Sequence, residues 1–182
     1  MRWLRLFLLV LLVPLAACAL TPQAYSIDTA GPYQLNSGDV VRVTVYGDKD
    51  LSTTYKIDDA GAISFPLVGP IQVAGVTTKM AAARLSSALA HGFMRNPNVV
   101  LEVADYRPFF IQGEVNTSGQ FAYVYGITVR SAISIAGGFK DTADRTRVTI
   151  YRKAGAEMTK AKVGLDFPLQ PGDTVVVGER WL

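Results

Sequence analysis

Positions 6–15 of this 182-residue chain read Leu-Phe-Leu-Leu-Val-Leu-Leu-Val-Pro-Leu, the longest apolar run in the sequence. A helix that spans a bilayer needs about 20 consecutive apolar residues, so this run is too short to cross one. It follows Met1-Arg2-Trp3-Leu4-Arg5 and leads into small residues, the layout of a secretory signal over residues 1–17. No later segment is as apolar, so everything behind it is expected to fold in water. The chain is 49% hydrophobic and 18% charged, too apolar and too aromatic for a disordered segment. One Cys and one His exclude a disulfide framework and a Cys/His zinc site, and they leave little room for a nucleophile–histidine pair. The expectation is a protein with no cofactor and no metal that is not an enzyme.

The signal ends at Leu15-Ala16-Ala17-Cys18. This tetrapeptide resembles a bacterial lipobox, which implies lipidation of Cys18 and cleavage just before it. Two acyl chains suffice to hold a soluble domain on a membrane, since each buried CH2 is worth about 0.8 kcal/mol. Ala19 resembles the residue of lipoproteins sent to the outer membrane. Residues 18–30 lack a period and read as the lipidated tether. Loss of Arg2 and Arg5 with the signal lowers the formal charge from +3 to +1, so the calculated pI of about 9.0 does not point to nucleic acid. One local excess of charge remains. Lys140, Arg145, Arg147, Arg152, Lys153, Lys160 and Lys162 face only Asp141, Asp144 and Glu157. Such a stretch is either a solvated surface or a face for an acidic polymer or anionic headgroups.

Order is expected from Tyr33. Val41, Val43 and Val45 alternate with Arg42, Thr44 and Tyr46, the pattern of a half-buried strand. Asp58-Asp59-Ala60-Gly61 reads as a turn before the strand Ala62–Phe65, and the prolines at 66 and 70 place the next segment at a sheet edge. Thr77 or Thr78 can cap a helix whose Ala81, Leu85, Ala88 and Leu89 form one stripe and which Gly92 stops. A strand at Val99–Val103 closes a first α+β unit, residues 31–104. In the second unit, 105–182, Phe109–Val115 and Gln120–Tyr125 read as a hairpin. Thr128 caps a short helix that Gly137-Gly138 stops, and strands return at Val148–Tyr151 and Thr174–Val177. That order is similar to a β-grasp. One short echo links the units: Leu35-x-x-Gly38-Asp39-x-Val41-x-Val43 recurs as Leu169-x-x-Gly172-Asp173-x-Val175-x-Val177. It reads as a turn feeding a strand rather than as a catalytic motif.

Tyr33-Gln34-Leu35, Gly38-Asp39, Asp59-Ala60-Gly61-x-Ile63-x-Phe65-Pro66-Leu67-Val68-Gly69 and Asn96-Pro97-x-Val99 resemble the polysaccharide export domain of bacterial outer-membrane polysaccharide exporters. Gly113-Glu114-Val115-x-x-x-Gly119, Ala132-Ile133-x-x-Ala136-Gly137-Gly138 and Leu169-x-Pro171-Gly172-Asp173 resemble the soluble-ligand-binding β-grasp (SLBB) domain that follows it in that family. Two departures stand out. Thr117-Ser118-Gly119 lacks the usual proline before the glycine, and only Gly178–Leu182 follows the last strand, where larger members carry further domains and a membrane-crossing helix. Five residues reach about 17 Å at full extension, against hydrocarbon about 30 Å thick.

The resemblance therefore implies a short exporter, lipid-anchored on the periplasmic face of the outer membrane. It would form a homo-oligomeric ring that guides a polysaccharide from an inner-membrane co-polymerase toward a separate outer-membrane β-barrel. Gly38, Asp39, Gly61, Gly69, Gly113, Gly119, Gly137, Gly138, Gly172 and Asp173 are expected to be its turn residues and Cys18 its anchor. Two other classes stay open. A tethered binding module would stack sugar rings on Tyr106, Phe109, Phe110, Tyr123 or Tyr125. A glycosidase would need a carboxylate pair such as Asp48 with Asp50 or Asp58 with Asp59, although these sit in turn-like stretches, and His91 reads as a helix-end residue.

Overall fold

The computed structural model describes residues 31–154 and 157–180. Cys18, the signal and the tether lie outside the described residues. Two hydrophobic cores organise the rest. The first gathers Leu35, Val41, Val43, Val45, Ile63, Phe65, Leu85 and Leu101, among others. The second gathers Phe109, Ile111, Val129, Ile133, Val148, Ile150, Val175 and Val177, among others. Each core is closed by strands on one side and by one helix on the other, an α+β arrangement.

Around the first core, β1 (Val40–Val45) lies between β2 (Thr54–Lys56) and β5 (Val99–Asp105), antiparallel to both. The alternating valines of β1 are buried, and Arg42 points to solvent. β3 (Ala62–Phe65) and β4 (Gly69–Gln72) form a separate two-stranded ribbon, so Pro70 sits in an edge strand. Helix α1 (Thr78–Ala90) starts at Thr77, whose side chain accepts from the Met80 N–H, and it buries Ala81, Leu85 and Leu89. The helix ends at Ala90 with His91 as its C-cap, and Gly92 follows at φ 103°, the place of the glycine expected to stop it.

The second core lies under a five-stranded sheet in the order β7-β6-β10-β8-β9. β6 (Phe109–Gly113) and β7 (Gly119–Phe121) form the expected hairpin, but β7 ends at Phe121, so Tyr123 and Tyr125 leave the ladder. Helix α2 (Val129–Ile135) is capped by Thr128, whose side chain accepts from the Ser131 N–H. β8 (Arg147–Ala154) and β9 (Glu157–Gly164) form a long hairpin, and β10 (Thr174–Val177) inserts between β6, its parallel neighbour, and β8, its antiparallel one. Hairpin, helix and a central returning strand make the β-grasp-like layout. Among the described residues no helix is long and apolar enough to cross a membrane.

Gly113 shows why the β6–β10 pair tolerates no side chain there. Its φ is 96°, and a Cβ would stand 2.1 Å from the Val177 carbonyl oxygen. The backbone could then no longer approach β10 closely enough for the Glu114 N–H to donate to that oxygen at 3.0 Å.

Candidate functional site at the junction of the two cores

The echoed sequence folds twice into one turn. In the first copy the Asp39 N–H donates to the Asn36 carbonyl at 3.1 Å, and the Asn36 N–H donates to Asp39 Oδ2 at 2.9 Å. In the second the Asp173 N–H donates to the Gln170 carbonyl at 3.1 Å, and the Gln170 N–H donates to Asp173 Oδ2 at 2.8 Å. Gly38 and Gly172 take φ 93° and 85°, and Leu35 and Leu169 are buried. Each aspartate closes its turn and each is 0% exposed. A buried carboxylate needs a cation, and both copies have one.

The two cations do different things. Arg152, on the buried side of β8, donates from Nε to Asp173 Oδ1 at 2.8 Å and from Nη2 to Oδ2 at 2.7 Å, with its guanidinium over Phe167. That bidentate pair lies wholly within the second core. Asp39 takes its cation from between the cores. Arg107 donates its backbone N–H to Oδ1 at 3.0 Å, and its Nη1 lies 3.3 Å from Oδ2. The same Nη1 donates to the Tyr33 hydroxyl at 2.9 Å, and that hydroxyl donates to Asp39. The Arg107 side chain also packs on the second turn, where a Cβ on Gly172 would stand 2.8 Å from Nε. Arg107 therefore ties the two echoed turns to each other. Sequence reading missed both arginines.

Beside this joint, Tyr33, Tyr106 and Tyr123 meet edge to face, with centroids 5.0 and 5.3 Å apart. The Tyr123 hydroxyl donates to the Leu169 carbonyl at 3.1 Å. A cleft of about 180 Å3 opens there, lined by Tyr33, Tyr123, Tyr125 and Pro168–Pro171. Tyr125 stands 76% exposed at its mouth. Burial, and then the bond to Asp39, push the Tyr33 phenol well above its ordinary value of 10.0; burial also raises Tyr106 and Tyr123.

A pH prediction follows for Tyr33. Below pH 10 the folded and unfolded chains both hold the phenol proton, so its contribution is complete. Above pH 10 the unfolded chain loses the proton first, so stability falls with rising pH. Urea midpoints measured from about pH 8 to 11.5 should fall less steeply in Tyr33→Phe than in the parent chain. Parallel profiles would contradict this assignment.

The other sequence-predicted residues are dispersed. Gly61, Gly69, Gly137 and Gly138 take positive φ in their turns, and Gly119 opens β7. The five aromatics proposed to stack sugars do not form one surface: Phe109 is core, Phe110 lies on the far side of the sheet, and Tyr106, Tyr123 and Tyr125 gather near the cleft. The carboxylate pairs are loop anchors. Asp48 Oδ1 accepts from the Asp50 and Leu51 N–H groups, and Asp58 Oδ1 accepts from the Ala62 N–H. His91 Nδ1 is bonded to the Ser87 carbonyl at the helix end. Among the described residues no group of three His, Cys, Asp or Glu side chains could hold a metal. The geometry offers a stiff joint and an aromatic cleft.

Two domain families match this chain in tandem. Residues 28–104 match the polysaccharide biosynthesis/export protein family, and residues 107–177 match the SLBB domain family. The chain belongs to the bacterial outer-membrane polysaccharide export family. It is 31% identical over 134 residues to the exopolysaccharide production protein ExoF of Rhizobium meliloti strain 1021, an alignment covering 67% of this chain and 32% of that one. It is 29% identical over 160 residues to the polysialic acid transport protein KpsD of Escherichia coli, covering 81% and 28%. Against the EPS I polysaccharide export outer membrane protein EpsA of Ralstonia solanacearum it is 29% identical over 150 residues, covering 68% and 40%. The aligned part thus spans well under half the length of each of these relatives.

Proposed function

We propose that this chain is a lipid-anchored, periplasm-facing outer-membrane component of an exopolysaccharide or capsule export machine. It forms or caps an oligomeric conduit through which the polymer passes. The observation that carries this reading is the tandem match of an export domain and an SLBB domain, in that order, across residues 28–177. The units 31–104 and 105–182 act as one rigid element, because Arg107 binds Asp39 of the first and packs on Gly172 of the second. A conduit wall needs that stiffness, since a hinge between its parts would let the lumen change width. The chain guides and docks its polymer and makes no bonds in it. Its partners are further copies of itself, an inner-membrane co-polymerase and a separate outer-membrane β-barrel.

Cys18 supplies the anchor, so Cys18→Ser should shift the protein from the membrane fraction to the soluble periplasmic fraction. Secreted polymer should fall with it. Unchanged fractionation together with normal secretion would contradict both anchor and role.

A second reading rests on the tyrosine cleft: a tethered module that binds a glycan or small soluble ligand outside any conduit. The aromatic lining favours it. Light scattering on the detergent-extracted chain separates the two, since a conduit is a high-order oligomer and a simple binder a monomer.

A further inference from the structure

The cations between Lys140 and Lys162 divide into two sets. Lys140 pairs with Glu114 at 3.7 Å, Arg145 with Asp141 at 3.6 Å and Arg152 with Asp173 at 2.7 Å. Arg147, Lys153, Lys160 and Lys162 make no ion pair among the described residues. Strand alternation puts these four on one side of the sheet. Val148, Ile150 and Arg152 of β8 are buried, so Arg147, Thr149, Tyr151 and Lys153 point the other way. Lys162 is paired with Thr149 and Lys160 with Tyr151, which places both β9 lysines on that same open face.

Followed across the sheet from β7 to β9, the register aligns Gln120, Phe110, Thr174, Tyr151 and Lys160. With strands about 4.8 Å apart, this row is about 19 Å long. Phe110 is 42% exposed, and the Lys160 ammonium lies 5.5 Å from the centroid of the Tyr151 ring. The face thus combines aromatic rings, neutral amides and hydroxyls, and free ammonium groups in reach of one another.

Each of these groups suits one feature of a charged glycan. Rings accept the apolar face of a sugar, amides and hydroxyls exchange hydrogen bonds with its hydroxyls, and ammonium groups meet its carboxylates. Membrane-binding faces are built differently, with cations flanking protruding apolar side chains. Here Phe110 and the lysines occupy different strands, with Thr174 and Tyr151 between them, and a single methionine, Met158 (62% exposed, opposite Lys153), stands among the cations rather than an apolar cluster. A carboxylate does stand near Lys162: Asp144, held below the usual carboxylate range chiefly by hydrogen bonds from Thr146. Those bonds fall on its Oδ1, and Lys162 does not close to ion-pair distance with it, so the ammonium can still take a second anion.

We propose that the open face of this sheet is a binding track for an acidic polysaccharide, whose carboxylates meet Lys160 and Lys162 and whose rings lie over Tyr151 and Phe110. The track rests on the export reading and names the class of polymer it handles. Lysines on an edge strand also commonly block pairing with other chains. That role alone predicts aggregation when they are removed and no change in polymer binding.

The test is affinity electrophoresis of the detergent-extracted full chain through gels containing polygalacturonate or dextran. The track predicts retardation by polygalacturonate, little by dextran, and loss of the effect at high salt. Lys160→Gln/Lys162→Gln should bind polygalacturonate at least about tenfold more weakly, as two charge-assisted contacts are lost. Lys160→Arg/Lys162→Arg should retain binding, and both double variants should melt like the parent. Equal retardation by both polymers would overturn the proposal, as would retention of polygalacturonate binding in the Gln variant. So would displacement by short-chain phosphatidylglycerol at concentrations where phosphatidylcholine has no effect, which would assign the face to headgroups. The binding measurement is independent of secretion. A strain that still needs the chain for export while the purified protein ignores polygalacturonate would sink the track and leave the export role standing.

Discussion

Asp39→Ala should destabilise the folded chain by about 3–5 kcal/mol, as is typical when one partner of a buried charge pair is removed. Asp39 is fully buried and accepts from the Asn36 and Arg107 N–H groups, the Tyr33 hydroxyl and the Arg107 guanidinium. Alanine leaves all of these donors short of an acceptor at once, each costing about 1–3 kcal/mol where water cannot replace it. The damage falls on the joint between the cores as well as on the first core itself, because Arg107 loses the anchor that holds it against Gly172.

The exposed pair Arg130–Asp166 supplies the control. Its partners are 58% and 84% exposed, so Asp166→Ala should change stability by no more than about 1 kcal/mol. Urea denaturation followed by circular dichroism measures both. A loss below about 1 kcal/mol for Asp39→Ala would mean that the joint is not held through this carboxylate.

Much of this fold was legible in advance, and what escaped has physical causes. Elements with a buried face announced themselves: the alternating valines of β1 and β10 and the stripe on α1 each follow the period of their element. β2 and β9 were not foreseen. β9 reads Glu-Met-Thr-Lys-Ala-Lys-Val-Gly and buries only Ala161, so as an edge strand it owes its place to hydrogen bonds with β8 rather than to an apolar pattern. The hairpin strand expected over Gln120–Tyr125 stops at Phe121, and its two tyrosines turn to the cleft instead.

The site was legible in half. The repeated Gly-Asp turns were visible, but the arginines that complete them were not. A signal for Arg152 did exist: it continues the buried series Val148, Ile150, and a cation on an apolar face calls for a carboxylate. Arg107 left none, since its partner lies 68 positions away and only the fold brings the two together.

The same distinction bears on the charged stretch. Sequence counts gave one block from Lys140 to Lys162, whereas the structure separates three paired cations from four that project together. Of the paired three, Arg152 alone is buried; the four unpaired ones share a single face. The cleft and the open sheet face share no residue, since Tyr33, Tyr123, Tyr125 and Pro168–Pro171 line the first and Phe110, Tyr151, Lys160 and Lys162 lie on the second. Under the proposed conduit role a polymer would meet this protein at more than one place, which suits passage along a wall better than capture in a pocket.

Export itself carries the largest expected effect. If this chain is a required segment of the conduit, deleting its gene from the source strain leaves assembly of the polymer intact at the inner membrane and removes its path outward. Extracellular polysaccharide should then fall to near background while polymer of the same composition accumulates in the periplasm. Reintroducing the full chain should restore secretion, and reintroducing Cys18→Ser should not. The direct measurement is the amount and sugar composition of polysaccharide in the medium and in the periplasm of the deletion strain. Loss from the medium with retention inside is the predicted result. Unchanged secretion, or a secreted polymer of altered chain length with none retained, would contradict a conduit role.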